Sequence, residues 1–545
     1  MKAFNRILLA LSLLVTSTLA CGLGLPGNTY TIEVIANPGA APWVQAAAEA
    51  FNNGRTKTPD GRVIAVEVQV MEAGQGVTVL AAGGAPALWM PDDPAWVSIL
   101  AEKGQPAFQS DCTSTAQSPL VIAIWRTVAE ALGWPGRSLG WLDIGSLAAD
   151  PSAWQYYSGG QFGDRLRLSH THPGLSHTGA STLLAVVQAA LSKTDPVTAE
   201  EIQQPIVQAS VGVFESAVSS FATDTDLLGQ TMQQRGVGYL GAAVMYESTV
   251  LRYTGDDVSI VPIYPFEGTF VATHPACING SADATTQVAA RAFREHLLGE
   301  DAQNLAVSNG LRPVRAGILL AAPLDAAHGV KTSEPAIVFN SPSSENLYAV
   351  QALWQGARKN VNLVMVIDTS GSMQGKKIES VRAAALQFAE QMGDKDYLTL
   401  IIYQAGVPVV EIEYLEVGPN RATIDNIIRN LTANGGTPLY DSLGMASQVI
   451  GNHLSSQNTN AIVLLSDGKD TASDGFSFNN TLFQTAAAHD TTVFTIAYGS
   501  DADEGQLEKL ATSANGNFYL GSEASIAAIY QEMSAAFGGS VGIGR

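Results

Sequence analysis

The run Asp368-Thr-Ser370-Gly-Ser372 sets one carboxylate and two hydroxyls on alternate residues. Further along stand Asn434-Gly-Gly-Thr437-Pro and Leu464-Leu-Ser-Asp467-Gly-Lys-Asp470. Hydroxyl oxygens from Ser370, Ser372 and Thr437, with carboxylates from Asp368 and Asp467, suit a hard divalent ion. Mg²⁺ takes about six oxygen ligands and keeps several waters, so it is the expected ion, with Mn²⁺ or Ca²⁺ as substitutes. Neither Cys nor His lies in the set, which argues against zinc. Ser and Asp also serve as turn and cap residues. That reading explains any one of these runs but not their combination. Gly371-Ser-Met-Gln-Gly375-Lys-Lys377 has the outline of a phosphate-binding loop. It is one spacer short and carries Lys where Ser or Thr should meet Mg²⁺, so it is set aside.

Strands must position these oxygens. Val361 to Ile367 reads as a buried strand ending at Asp368, and Ala461 to Leu465 as one ending close to Asp467. Tyr397 to Ile402 and Thr492 to Ala497 read as further buried strands. A helix follows Gly375, with Ile378, Val381, Ala385, Phe388 and Met392 on one face. Strands alternating with helices imply a doubly wound α/β sheet, whose ligand sites lie at the carboxyl ends of strands. From about Gly356 to Phe537 the chain resembles von Willebrand factor A domains. Their metal-ion-dependent adhesion site runs in the same order: DxSxS, a Thr in a Gly-rich loop, then an Asp after an apolar strand. All of its positions are filled here. The resemblance implies Mg²⁺ held mainly by the hydroxyls, with the carboxylates acting through water, and an open position for a partner's carboxylate. The partner is expected to be a protein or polymer; a neighbouring domain of the same chain is the alternative.

The first part of the chain also reads as α/β, with strands at Tyr30 to Ile35, Ser118 to Ile124 and Val258 to Ile263 and a helix from Pro42 to Phe51. Gly83-Gly-Ala-Pro-Ala-Leu-Trp89, Ser118-Pro-Leu-Val-Ile-Ala-Ile124, Trp141-Leu-Asp143 and Tyr264-Pro-Phe-Glu-Gly268 occur in that order, followed by Ala302-Gln303 and Gly310-Leu-Arg-Pro313. This succession resembles bacterial extracellular solute-binding proteins. It implies a type II periplasmic-binding-protein fold, two α/β lobes around a cleft for a small solute. Ser176, Thr178 and Tyr246 are candidate hydrogen-bonding groups for the solute, and Glu247 a candidate partner for a cation. Each also reads as a surface or capping residue. His170, His172 and His177 lie close together in sequence, the spacing a transition metal uses. Pro173-Gly174 between them favours a plain polar loop. No nucleophile with a paired base stands out, so an enzyme is not expected.

At 545 residues with 46% hydrophobic and 14% charged, the chain is folded and too long for one core. A net charge of −21 is the wrong sign for a nucleic-acid partner. Lys2 and Arg6, the apolar run Ile7 to Val15, and Leu19-Ala20-Cys21 read as an export signal. The last three resemble a bacterial lipobox, although Thr18 replaces the usual Leu. The resemblance implies lipidation of Cys21 and anchoring outside the cytoplasm at the cell membrane. In an exported chain, Cys112 and Cys277 pair or remain two buried thiols. The expected organisation is a signal at 1–20, a lipidated linker at 21–28, a solute-binding-like domain at 29–320, a linker at 321–355 and the metal-bearing domain at 356–541. Two functions compete: a surface protein gripping its partner through the metal, and a transport receptor whose second domain merely docks it to the envelope.

Overall fold

The computed structural model describes residues 29–255, 259–478 and 491–542. The export signal and Cys21 lie outside them. Chain contacts divide the described residues into two units, the first of residues up to Arg358 together with 541–542, the second Lys359–Ser540.

The first unit carries two sheets. Strands β1 (Thr29–Ala36), β2 (Val63–Val70), β3 (Leu88–Met90), β4 (Cys112–Ser114), β5 (Ala116–Trp125), β6 (Leu168–Thr171), β7 (Val218–Ala222), β8 (Ala242–Tyr246), β9 (Ile260–Ile263), β10 (Val271–Ala272), β11 (Pro275–Ile278) and β12 (Arg312–Pro313) follow in order. The first sheet runs β2-β1-β3-β11-β4 and the second β10-β5-β8-β6-β7, with β9 and β12 also pairing β5. The chain crosses between sheets at β4–β5 and β10–β11, and returns to the second sheet at β12. Thr115 alone separates β4 from β5, and Thr273-His274 separate β10 from β11. These two crossings are tied together, since the Thr115 hydroxyl donates to the His274 carbonyl at 2.6 Å. A disulfide joins Cys112 to Cys277 at directly opposed positions of β4 and β11.

The β1–β2 crossover shows how local sequence builds a lobe. Pro42 opens the helix Ala41–Asn53, where its missing N–H costs nothing. Trp43, Val44, Ala47, Ala48 and Phe51 form its buried stripe. The Trp43 indole N–H donates to the Ala302 carbonyl at 2.7 Å, which satisfies the polar edge of a fully buried ring.

Residues 321–355, expected to be a linker, are largely part of this unit. Phe339 packs against Phe270 with ring centroids 5.3 Å apart. The helix Ser344–Ala357 sends Leu347, Val350 and Trp354 into the main core of the first unit. The Trp354 indole N–H donates to Glu215 at 3.1 Å, and Asn346 to the Val197 carbonyl at 2.9 Å. The Pro- and Ser-rich run before the helix looks like a boundary, but the apolar spacing within it is that of a core helix.

The second unit is one sheet of β13 (Asn360–Ile367), β14 (Tyr397–Gln404), β15 (Val407–Glu416), β16 (Asn458–Ser466), β17 (Thr491–Tyr498) and β18 (Phe518–Gly521). Their order is β15-β14-β13-β16-β17-β18. Only β15 runs antiparallel. β13 is therefore flanked on one side by β14 and on the other by β16. Winding changes direction there, and the crevice at the carboxyl ends of β13 and β16 is the place such a sheet offers a ligand. Burial of β13 on both faces explains its apolar sequence.

Candidate metal centre

Asp368 follows the last residue of β13, and its backbone N–H donates to the Leu465 carbonyl of β16 at 3.0 Å. Its side chain is fully buried. One carboxylate oxygen accepts from the Ser370 N–H at 2.8 Å, the other from the Ser466 hydroxyl at 2.7 Å. Both fix the carboxylate from behind. The Ser370 and Ser372 hydroxyls are 3.0 Å apart, and the Ser372 hydroxyl donates to Asp467 Oδ1 at 2.7 Å. These four candidates form one continuous polar cluster at the switch point.

Thr437 arrives on a loop held by backbone. Asn434 N–H donates to the Thr369 carbonyl at 2.8 Å, and Gly371 N–H to the Gly435 carbonyl at 3.0 Å. Gly435 has φ +80° and lies so close to Gly406 that a side-chain carbon would sit 2.6 Å from the Gly406 nitrogen. Only glycine meets both demands. The Thr437 hydroxyl lies beside the turn after Asp467, 3.7 Å from where a side-chain carbon on Gly468 would be. Thr437 and Thr471 exchange bonds that lock this loop to the one after β16.

Burial pushes the Asp368 carboxyl above the usual aspartate value. The bonds from Ser370 and Ser466 oppose that shift, and the nearby Asp467 adds to it. Two clustered carboxylates with neutral hydroxyls are a donor set for a hard cation, so the residues present fit Mg²⁺. The chain supplies one cation itself. Lys377 Nζ lies 2.5 Å from Asp467 Oδ2, with the lysine side chain 29% exposed and the aspartate side chain fully buried. Lys377 belongs to the run set aside as a phosphate loop, and its part in this site was not foreseen. Its place near the start of the helix Lys376–Gln391, directly after the DxSxS run, was the available signal.

Of the candidates in the first unit, Ser176 and Tyr246 border one buried pair of acids, Ser176 bonding Glu72 and Tyr246 bonding Asp92. Ser176 precedes the helix His177–Leu191 without a side-chain capping bond, and its hydroxyl is 2.9 Å from that of Thr178, itself 2.6 Å from the Thr171 hydroxyl. Glu247 is fully buried, but Arg312 holds it at 2.8 and 2.7 Å and the Tyr264 hydroxyl also donates to it. Its charge is therefore matched within the fold, contrary to the expected contact with a cationic solute. Tyr246 is buried with its hydroxyl facing Asp92. The three histidines do not converge. His170 pairs with Glu215 at 2.8 Å, His172 accepts from the Gly174 N–H at 3.0 Å, and His177 accepts from the Trp96 indole at 3.0 Å. Among the described residues no group of three or more His, Cys, Asp or Glu could hold a metal.

Two lobes built on linked sheets and a doubly wound sheet with an oxygen-lined crevice define a pair of binding modules. Residues 32–312, more than half of the chain, match the model for bacterial extracellular solute-binding proteins. The chain belongs to that family. Residues 362–532 match the von Willebrand factor type A domain. An uncharacterized protein from Synechocystis sp. is 32% identical over 160 residues, 29% of this chain and 37% of that protein. Inter-alpha-trypsin inhibitor heavy chain H3 of Rattus norvegicus is 28% identical over 177 residues, 30% of this chain. The chain spans only 20% of the length of that relative. Among solved structures, the periplasmic binding protein AfuA from Actinobacillus pleuropneumoniae, with fructose-6-phosphate bound, is 12% identical. That match covers 60% of this chain and 98% of AfuA at a TM-score of 0.44. A von Willebrand factor type A protein from Catenulispora acidiphila is 22% identical over 33% of this chain and 42% of its own, at a TM-score of 0.30.

Proposed function

We propose that this is an envelope-anchored binding protein whose second unit grips a partner through Mg²⁺. Ser370, Ser372 and Thr437 would hold the ion, with Asp368 and Asp467 balancing its charge. Bound there, the ion supplies an electrophilic position for a carboxylate of a protein or polymer. The convergence of Asp368, Ser370, Ser372 and Asp467 on one hydrogen-bonded cluster at the switch point carries this reading. Family membership supports a second role, capture of a small solute by the first unit. The Leu19-Ala20-Cys21 run supports a lipid anchor outside the cytoplasm. No described helix is long and apolar enough to cross a membrane. The test is a pull-down from envelope extract with the chain from Gly22 onward, in Mg²⁺, in EDTA and with Asp368→Ala. A partner retained only by the unaltered chain in Mg²⁺ supports metal-dependent adhesion. Equal retention in all lanes favours the transport-receptor reading, with the second unit a passive dock.

A further inference from the structure

Two carboxylates lie buried between the sheets of the first unit with no basic side chain bonded to them. Glu72 follows β2 and Asp92 follows β3; they are 3% and 1% exposed. Both therefore sit at carboxyl ends of first-sheet strands. Tyr246 closes β8 of the second sheet and His274 lies in the crossing between sheets, at a left-handed φ of 39°. Tyr246 and His274 have ring centroids 5.7 Å apart.

His274 Nε2 is buried and lacks a hydrogen-bond partner, and Asp92 Oδ2 and the Tyr246 hydroxyl have none but each other. An orphan polar atom of this kind is costly unless something else satisfies it. The His274 tautomer is fixed from outside. Asn37 spends its side-chain oxygen on the Ala40 N–H at 3.1 Å and its amide on the Met90 carbonyl at 3.1 Å. The same amide therefore donates to His274 Nδ1 at 3.0 Å, leaving Nε2–H as a free donor.

Acidic groups predominate around the cluster. Glu72 is pushed well above the usual glutamate range by burial and then by Asp92, Asp224 and Asp226, all acidic. Asp93 is bonded to the Ala95 N–H and the Ser341 hydroxyl. Asp226 is paired with Arg252, which also donates to the Gly39 carbonyl. His177 is committed to Trp96 and Ser181. Burial raises Asp92 as well, so both acids are poised to ionise beside a bound positive charge, and these acidic surroundings disfavour sulfate, phosphate and carboxylates.

We propose that the cleft of the first unit takes a small solute bearing a protonated amine, which donates to Glu72, Asp92 and the Tyr246 hydroxyl, while His274 Nε2–H donates to an oxygen of the same solute. This rests on the reading of that unit as a solute receptor.

The test is thermal unfolding of the purified full chain at constant Mg²⁺ with putrescine, L-lysine and L-arginine, against sodium sulfate, sodium phosphate and glucose. At least one amine should raise the melting temperature of the first unit. Asp92→Asn and Glu72→Gln, close in shape to the native residues, should each weaken that amine at least tenfold. Tyr246→Phe should weaken it less and serves as the second probe should a carboxylate variant misfold. A shift from sulfate, phosphate or glucose without one from any amine overturns the amine assignment and leaves the receptor reading standing. No shift from any compound overturns both. An amine shift unchanged in Asp92→Asn and Glu72→Gln overturns the site.

Discussion

Lys377→Met should tighten Mg²⁺ binding while weakening the metal-free fold. Without an ion, Lys377 is the positive charge on Asp467, at 2.5 Å. Two unit charges about 4 Å apart at an effective dielectric near 20 attract by about 4 kcal/mol. Lys377 is 29% exposed, so solvent screens much of that, and the net worth of the pair falls to about 1–2 kcal/mol. Removing the ammonium raises the free energy of the empty site by that amount. The loaded site loses less, because Mg²⁺ and the lysine compete for the same carboxylate and repel each other. Affinity should therefore rise about tenfold, equal to about 1.4 kcal/mol at saturation. Titration calorimetry of MgCl₂ into the full chain measures the affinity. Thermal unfolding with and without Mg²⁺ should show a lower starting melting temperature and a larger gain on adding the ion. An unchanged or weaker Mg²⁺ affinity in Lys377→Met would refute the competition argument.

Arg312→Met strands the buried Glu247 carboxylate, which should cost about 3–5 kcal/mol. Calorimetry should find the first unit melting roughly 6–20 °C lower, with Glu247→Gln in the same chain restoring part of the loss. Gly435→Ala meets both a positive φ and the Gly406 backbone, so it should displace Thr437 and lower Mg²⁺ affinity. A native affinity would show that the loop is not what sets the Thr437 hydroxyl. Acidification tests Asp368. Burial raises its folded value above the 3.8 of a free aspartate, so protonation favours the metal-free fold, and that contribution fades as pH rises through the raised value. Metal binding needs the ionised carboxylate. The rise in melting temperature produced by Mg²⁺ should therefore shrink as pH is lowered from 7.5 toward 4.5, and a constant rise would exclude Asp368 from the site.

The candidate metal site could be proposed from the sequence because its parts are local. DxSxS, the glycine loop and the Asp after an apolar strand each carry their own short signal. The sheet then brings them together because β13 and β16 are neighbours. The doubly wound order was likewise readable from buried strands alternating with helices. Edge strand β15 was not, since its half-exposed alternation lacks the apolar run of the central strands. Lys377 was missed because its meaning depends on Asp467, 90 residues away. Glu247 was misjudged for the same reason, since its partner Arg312 lies 65 residues on. Glu72 and Asp92 come from the ends of separate strands with no shared motif, so only the fold reveals that they face each other.

Direct titration of MgCl₂ into the full chain, compared with Asp368→Asn, addresses the central claim most squarely. Asparagine keeps the shape of the side chain and an oxygen to accept from the Ser370 N–H, and its amide can donate to the Ser466 hydroxyl oxygen while that hydroxyl turns to the Gly468 carbonyl, so the fold should survive, as its melting temperature without metal would verify. The account predicts a saturable Mg²⁺ site in the native chain, weakened at least tenfold by the substitution. Native-strength binding in Asp368→Asn, or no saturable binding in the native chain, would contradict it.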